Sequence, residues 1–437
     1  MLCSAASCLP AEAAEPPLTR FEYSEVAMGV RARIVVYAAS KTLAEDACRA
    51  AFERIAYLED VISDYRPTSE LMRLCTKAGG PPVPVSPELL FILEKSGELS
   101  RRSDGAFDVT IGPLVKLWRK ARRSGILPAQ DEINAARKLV GWRKVVIDPK
   151  ARTVRLKVRG MQLDLGGIAK GYACDEALRV LGGHGIENAL VEMGGDIAVS
   201  GPPPGKKGWE IEIESATDPA RNSVILSRAA VSSSGDTEQY VEIDGRRYSH
   251  IVDPRTGLGL TDRIAVTIIA PDGVTADGLS TAVSVVGVEK GRALVKTFLG
   301  VSAYIISRQA SFWRSVSITG PDRPEMLEGK TSAATSMSEG IESLNGKMRD
   351  ELLNAGIFDT LAEATGLTEA GGATTTSGLP TAYRGIIHRC REPATAFGYT
   401  FADAGIRPRT NLRPGTNFRD RSRSGAATAA DDAVTSA

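Results

Sequence analysis

Asp277 and Thr281 stand four residues apart in Ala276-Asp277-Gly278-Leu279-Ser280-Thr281-Ala282, a stretch with helical spacing, so their side chains share one face. A carboxylate and a hydroxyl on one face form a hard-oxygen pair suited to Mg²⁺, a cation often held by few protein ligands together with substrate phosphates. The same pair also fits an acidic residue near a helix start beside an ordinary threonine. His250 is one of three histidines, with His184 and His388, and it precedes the compact turn Asp253-Pro254-Arg255-Thr256-Gly257. It suits a general base or a phosphate contact, and equally a half-buried ring bonded to Asp253. Asp108 and Asp164 each lie among apolar neighbours at an expected strand end, where a partly buried carboxylate requires a ligand or a buried arginine. In Leu163-Asp164-Leu165-Gly166-Gly167-Ile168-Ala169-Lys170-Gly171-Tyr172, an expected strand runs through two glycines into a helix. Such a turn can aim backbone N–H groups at a phosphate, and Lys170 adds a positive charge in the first helical turn.

The elements that must hold these residues can be read from periodicity. Thr19 to Tyr37 reads as strands broken at Met28-Gly29, and Thr42 with Glu45 has the pattern of a capping box. Leu43, Ala47, Ala51, Ile55, Leu58 and Ile62 then recur at helical spacing. Ser69-Glu70-Leu71 starts a new segment, and Ser86-Pro87 opens another helix. Val145 to Val158 and Met161 to Leu165 read as strands, and Ala169, Ala173, Ala177 and Leu181 mark a helix stopped by Gly182-Gly183. Ala189 to Met193 is a strand entering a second glycine turn, Gly194-Gly195-Asp196, and Glu210 to Glu214 alternates strictly. A hairpin around Asp244-Gly245 delivers His250, Arg263 to Ala270 is a strand, Thr275 caps a helix, Gly287 opens another, and Val301 to Ser307 is the last strand.

The chain has 437 residues, 43% hydrophobic and 24% charged, enough for two or three domains, most of which can bury a core. A formal net charge of +1 gives no bulk sign of nucleic acid or of an acidic partner. The six cysteines show no CxxC pair and no metal-ligand spacing, which points away from a zinc site or a disulfide framework. No run is long and apolar enough to span a membrane.

Taken together, several separate motifs resemble the ApbE family, flavin transferases that move FMN from FAD onto a protein threonine. They are Met28-Gly29, Asp64-Tyr65-Arg66-Pro67-Thr68-Ser69-Glu70-Leu71, Gly105-Ala106-Phe107-Asp108-Val109-Thr110-Ile111-Gly112-Pro113-Leu114-Val115 and the Leu163–Tyr172 stretch. Met193-Gly194-Gly195-Asp196, Ser234-Gly235-Asp236, Tyr248 to Gly257 and Ala276 to Ala282 come next in the family's order, so the likeness covers roughly Phe21 to Arg308. It implies an α+β fold, antiparallel sheets with packed helices in a T-fold-like flavin transferase domain. It further implies that Met28, Tyr65, Ala106, Phe107 and Asp108 line an FAD site, which Asp164, Lys170, His250 and Ile251 also contact. Asp277 and Thr281 would hold Mg²⁺ with a backbone oxygen near Gly167, and His250 and Asp277 would be the catalytic residues, His250 moving the proton. Two departures touch the flavin pocket: Val30 stands where the family more often has Thr, and Thr237-Glu238-Gln239 replaces an aromatic-rich run.

On that likeness the substrate is FAD, the cation Mg²⁺, and the partner an acceptor protein with a target threonine, of the respiratory or redox flavoprotein class. The alternative is an FAD-binding but inactive paralogue or flavin carrier, disrupted by a C-terminal fusion. Residues 1–17 read as a leader, with Ala11-Glu12-Ala13 a small-x-small cleavage pattern and Ala6-Ser7-Cys8 an imperfect lipoprotein box. The expectation is a bacterial protein in the periplasm, or anchored through a lipid to the outer face of the inner membrane, although the basic start and apolar core of a signal are missing. Residues 309–437 are expected to be an unrelated, largely irregular tail. Within it Glu342-Ser343-Leu344-Asn345-Gly346 resembles the end of an Asp-Asp-Glu insertion-element transposase, where the glutamate is one metal-binding carboxylate. The partner aspartates of that motif are absent, which excludes transposition and a nucleic-acid partner.

Overall fold

A computed structural model describes residues 17–213, 222–235, 240–309, 312–320 and 327–328. In chain order the elements are β1 (Thr19–Ala27), β2 (Val30–Ala38), α1 (Lys41–Ile62), α2 (Glu70–Thr76), β3 (Val83–Pro84), α3 (Pro87–Arg102), α4 (Gly112–Ser124) and α5 (Gln130–Leu139). Then come β4 (Val145–Asp148), β5 (Thr153–Leu156), α6 (Ala169–Gly183), β6 (Asn188–Met193), β7 (Asp196–Val199), β8 (Trp209–Ile213), β9 (Asn222–Leu226) and β10 (Ala229–Gly235). The last are β11 (Tyr240–Ile243), β12 (Arg246–Ser249), β13 (Ile264–Ala270), α7 (Gly273–Val295), β14 (Ser302–Gln309), β15 (Phe312–Thr319) and β16 (Leu327–Glu328).

The framework is an eight-stranded sheet in the order β1-β2-β6-β7-β10-β13-β14-β15. Every pairing in it is antiparallel, as the α+β expectation requires. Alternation decides which face each residue meets. In β2, Ala32, Ile34 and Val36 join the main core with Ala47, Ala51, Ile55 and Leu58 of α1, while Val35 points into a second core with Trp209, Ile211 and Leu226. Helices α1, α6 and α7 therefore contribute to one core, and the β8–β9 ribbon to the other.

Several local expectations need correction. The cap of α1 is Ser40, whose hydroxyl accepts from the Leu43 N–H at 3.2 Å, and the cap of α7 is Asp272, which accepts from Thr275 N–H. Met161 to Leu165 alternates in burial as a strand would but joins no ladder. The N–H of Leu163 donates to Cys75 Sγ and that of Asp164 to the Val109 carbonyl, so the segment is tied to α2 and to the helical turn just before α4 instead. The two helices read after Thr275 are both present and meet at Gly287, whose φ of 75° and ψ of −178° interrupt the helical path, so the span labelled α7 holds the pair.

The boundary expected after Arg308 also moves. Ser302 to Gln309 pairs residue by residue with Phe312 to Thr319, which places β15 at the edge of the main sheet, and Leu327–Glu328 pairs with β9. Phe312-Trp313-Arg314-Ser315-Val316-Ser317-Ile318-Thr319 alternates from Ser315 onward, the period that the sheet requires. The leader and the transposase-like stretch around Glu342 lie outside the described residues.

Candidate active site

One end of the main sheet gathers turns and helix starts. Met28 (φ 50°) and Gly29 (φ 76°) form the tight turn between β1 and β2. It lies beside the β6–β7 turn, because a side chain at Gly194 would meet Val30 Cγ1 at 2.8 Å. Asp196 leaves that second turn opposite Ser232 of β10, whose hydroxyl lies 3.2 Å from Ser280 Oγ on α7.

On α7, Asp277 is 3% exposed and its Oδ2 accepts from the Gly171 N–H of α6 at 3.0 Å. The two helices touch backbone to backbone here: a Cβ at Gly171 would stand 2.1 Å from the Gly273 carbonyl oxygen. A Cβ at Gly167 would stand 2.9 Å from Thr281 Oγ1, so the Thr281 hydroxyl lies directly against the Gly166-Gly167 turn. Helical spacing on α7 joins Asp277 to Thr281; the fold brings Gly167 to the same place. Lys170 reaches Asp196 in a hydrogen-bonded ion pair and lies close enough to Asp277 to feel its charge. Burial works against the Lys170 ammonium, yet Asp196 and Asp277 together hold it above the usual lysine range. Asp277 is pushed up to about 7, first by burial and then by the Asp196 charge, with Lys170 opposing.

Two buried carboxylates against one ammonium leave this cluster short of positive charge when both are ionised. A carboxylate, a hydroxyl and a backbone carbonyl are the hard oxygens that a small divalent cation takes, and the residues present fit Mg²⁺ by type and by placement. No group of three or more His, Cys, Asp or Glu side chains able to hold a metal occurs among the described residues.

The phosphate-cradle reading of the Gly166-Gly167 turn narrows. Gly166 N–H donates to Asp164 Oδ1, those of Ile168 and Ala169 to the Leu165 carbonyl, and that of Gly171 to Asp277. Most of the donors expected to face an anion are thus used inside the chain. Lys170 is likewise committed to Asp196. Of the two partners expected for Asp164, a ligand or a buried arginine, the fold supplies the second: Arg119 of α4 donates to it at 3.2 Å and to Asp64 at 2.6 Å. Asp64 is pushed up to about 7 by burial and by the neighbouring Asp164 charge, against the pull of Arg119. Tyr65, 67% exposed, lies over the Arg119 guanidinium at 4.1 Å.

Asp108 accepts from Thr110 N–H and Oγ1 at 2.9 and 2.6 Å with one oxygen and from Trp142 N–H at 2.8 Å with the other. Both oxygens are occupied by loop closure, so it serves the local turn. Ala106 and Phe107 are buried at 1% and 4% exposure, and any ligand contact they make would come from backbone. Ala106 packs with Ile251 and Val285, which brings two of the expected lining residues together near the α7 break. His250 comes just after β12 and is half-buried. The Asp253 carboxylate beside it is engaged by Arg255 through both oxygens at 2.9 Å, and Trp118 Nε1 donates to Gly257 O, which fixes the turn against α4.

A separate cleft of about 270 Å³ is lined by Arg54, Pro87, Glu88, Phe91, Tyr172, Glu176 and Arg179. Its charged groups pair with one another, and it holds none of the residues above. Asp64, Arg119 and Asp196 were not singled out from sequence as site residues. Asp196 carries a signal, an aspartate next to a Gly-Gly turn like Asp164, whereas Arg119 is hidden in the basic run Lys116 to Arg123.

The ApbE family matches residues 28–305. The FAD:protein FMN transferase of Vibrio cholerae serotype O1 is 34% identical over 306 residues, covering 68% of this chain and 90% of that protein. The crystal structure of the apo Pseudomonas stutzeri flavinyl transferase ApbE superposes with a TM-score of 0.63 at 32% identity, over 69% of this chain and 95% of its own. The flavin transferase ApbE from Vibrio cholerae gives a TM-score of 0.63 at 31% identity, over 69% and 98%. With the motifs in order on one antiparallel framework, and the match running from the Met28 turn into β14, the chain belongs to the ApbE family.

Proposed function

We propose that the protein transfers FMN from FAD to a threonine hydroxyl of an acceptor protein in a Mg²⁺-dependent reaction. The observation that carries this is the convergence of Asp277, Thr281 and Gly167, from α7 and the turn before α6, beside the Lys170–Asp196 pair. In the reaction the threonine oxygen bonds to the FMN-side phosphorus. The bond from that phosphorus to the bridging oxygen breaks, and AMP leaves with the oxygen and a proton. Bound Mg²⁺ would neutralise charge developing on the phosphates. Asp277, Thr281 and the Gly167 carbonyl would hold it; the Gly171 N–H orients the Asp277 carboxylate. His250, at the mouth of the Asp253–Gly257 turn, is assigned to take the threonine proton. Lys170 pairs with Asp196 and opposes, without reversing, the upward push that burial gives the Asp277 carboxyl. The nucleophile comes from the acceptor, which suits a site without a Ser/His/Asp constellation.

The acceptor class is a respiratory or redox flavoprotein, and the protein is assigned to the periplasm or the outer face of a bacterial inner membrane on its leader pattern. Protease accessibility in spheroplasts tests the location. Function is tested by mixing the full chain with FAD, Mg²⁺ and a threonine-bearing acceptor domain and weighing the acceptor. A covalent FMN adduct is expected, lost in Asp277→Ala and much slowed in His250→Ala. FAD binding without any adduct selects the inactive-carrier reading, and undiminished, still metal-dependent transfer by Asp277→Ala removes the ligand assignment.

A further inference from the structure

Arg119 joins three segments distant in sequence. From α4 it donates to Asp64 Oδ2 at 2.6 Å, in the loop after α1, and to Asp164 Oδ2 at 3.2 Å, just before the Gly166-Gly167 turn. Its flat face lies 4.1 Å from the centre of the Tyr65 ring. Only a guanidinium does all three, because its planar fork spreads donors to two carboxylates while its face stays free to stack. Its Nε is buried and without a hydrogen-bond partner among the described residues. Tyr65 is 67% exposed although a cation backs its ring, so an aromatic surface is presented to solvent and held against rotation. An exposed ring fixed from behind is suited to receive another planar ring. Asp164 accepts from Gly166 N–H with its other oxygen, so the same fork also steadies the turn beside Thr281.

We propose that Arg119 is a positioning residue for nucleotide binding: clamped between Asp64 and Asp164, it orients Tyr65 so that the outer face of the ring receives a heteroaromatic ring of FAD. This rests on the FAD reading of the site. Lysine at this position keeps the charge but cannot bridge both carboxylates and stack at once, so Arg119→Lys weakens ring placement without removing the cation.

The test titrates FAD against the full chain by quenching of flavin fluorescence, with melting temperature and transfer kinetics measured alongside. Arg119→Lys is expected to raise the FAD dissociation constant about tenfold, moving KM for FAD far more than kcat. Tyr65→Ala is expected to show a loss of the same size, and the double variant to be no weaker than the worse single, because both remove one stacked surface. An unchanged dissociation constant in Arg119→Lys, or losses that multiply in the double variant, overturns the inference. If Arg119→Lys melts early, Asp64→Asn cuts one arm of the clamp and should raise the dissociation constant by a smaller factor; no change there overturns the inference as well. A parent chain that does not bind FAD removes the functional reading and this inference with it. A parent that binds FAD beside an unaffected Arg119→Lys removes this inference alone.

Discussion

Gly171→Ala tests the helix contact on which the site is built. A methyl group at Gly171 would stand 2.1 Å from the Gly273 oxygen, 2.5 Å from the Gly273 carbonyl carbon and 2.8 Å from Asp277 Cβ. Non-bonded carbons settle at about 3.5–4.0 Å, so α6 and α7 must part by roughly 1 Å or more. Both obstructing groups near the methyl at Gly273 are backbone, which cannot rotate away. Overpacking of this kind costs about 1–3 kcal/mol, and this case belongs at the upper end. For a domain of this size that lowers the melting temperature by roughly 3–5 °C. The same displacement stretches the Gly171 N–H···Asp277 bond and shifts Thr281 from Gly167, so FMN transfer should fall further than stability alone accounts for. The control lies on the same helix: Gly182 has nothing within 4 Å of the methyl position, and Gly182→Ala should stabilise by about 0.5–1 kcal/mol. Helix propensity by itself predicts a gain for both. Thermal and guanidinium unfolding, with the transfer assay, decide between them. A Gly171→Ala protein that melts with the parent and keeps its activity would refute the close-contact account.

Asp175 accepts from Gly273 and Val274 N–H at 2.7 and 2.9 Å, and burial pushes it up to about 7 from an ordinary 3.8. A raised native pKa means the folded state holds the proton longer, so this contribution is full below about pH 4 and is lost as pH rises toward 7. Asp175→Asn should therefore flatten part of the fall in melting temperature over that window, and an unchanged slope would contradict the assignment. Gly287→Ala forces a side chain into a φ of 75° at the break in α7 and should destabilise by about 1 kcal/mol in a denaturant melt. Ending the chain at Arg308 removes β15 and leaves β14 as a bare edge, so the truncated protein should aggregate more than one ending after Glu328, measured by light scattering.

Most element positions were legible because period-two and period-3.6 patterns survive in β2, β8 and α1, whereas the antiparallel α+β arrangement was implied by the resemblance to the ApbE family and not by periodicity. What escaped reading depended on partners remote in sequence. Met161 to Leu165 alternates as a strand, but only the fold reveals that Cys75 and Val109 supply its hydrogen-bond partners. Asp277 and Thr281 were legible as a pair from helix spacing, whereas the approach of Gly167 depends on how α6 packs on α7. Asp108 and Asp164 look alike in sequence, yet one closes a loop through Thr110 and Trp142 and the other meets Arg119. No local pattern distinguishes them.

The order of the main sheet also bears on how the chain reaches its native state. β2 pairs with β6 across a gap that holds α1 through α6, and the seam is marked by Arg33 bonding Glu192 at 2.7 Å, 159 residues away. Closing so long a loop costs entropy before any pairing compensates, so joining β2 to β6 should be the slow step. Until then the β1–β2 hairpin waits with an open edge, and β15, far downstream of β6, cannot dock until later still. On the ribosome, the domain remains open until nearly all of its described length has emerged. Chaperone protection of β2 is the need that this topology creates.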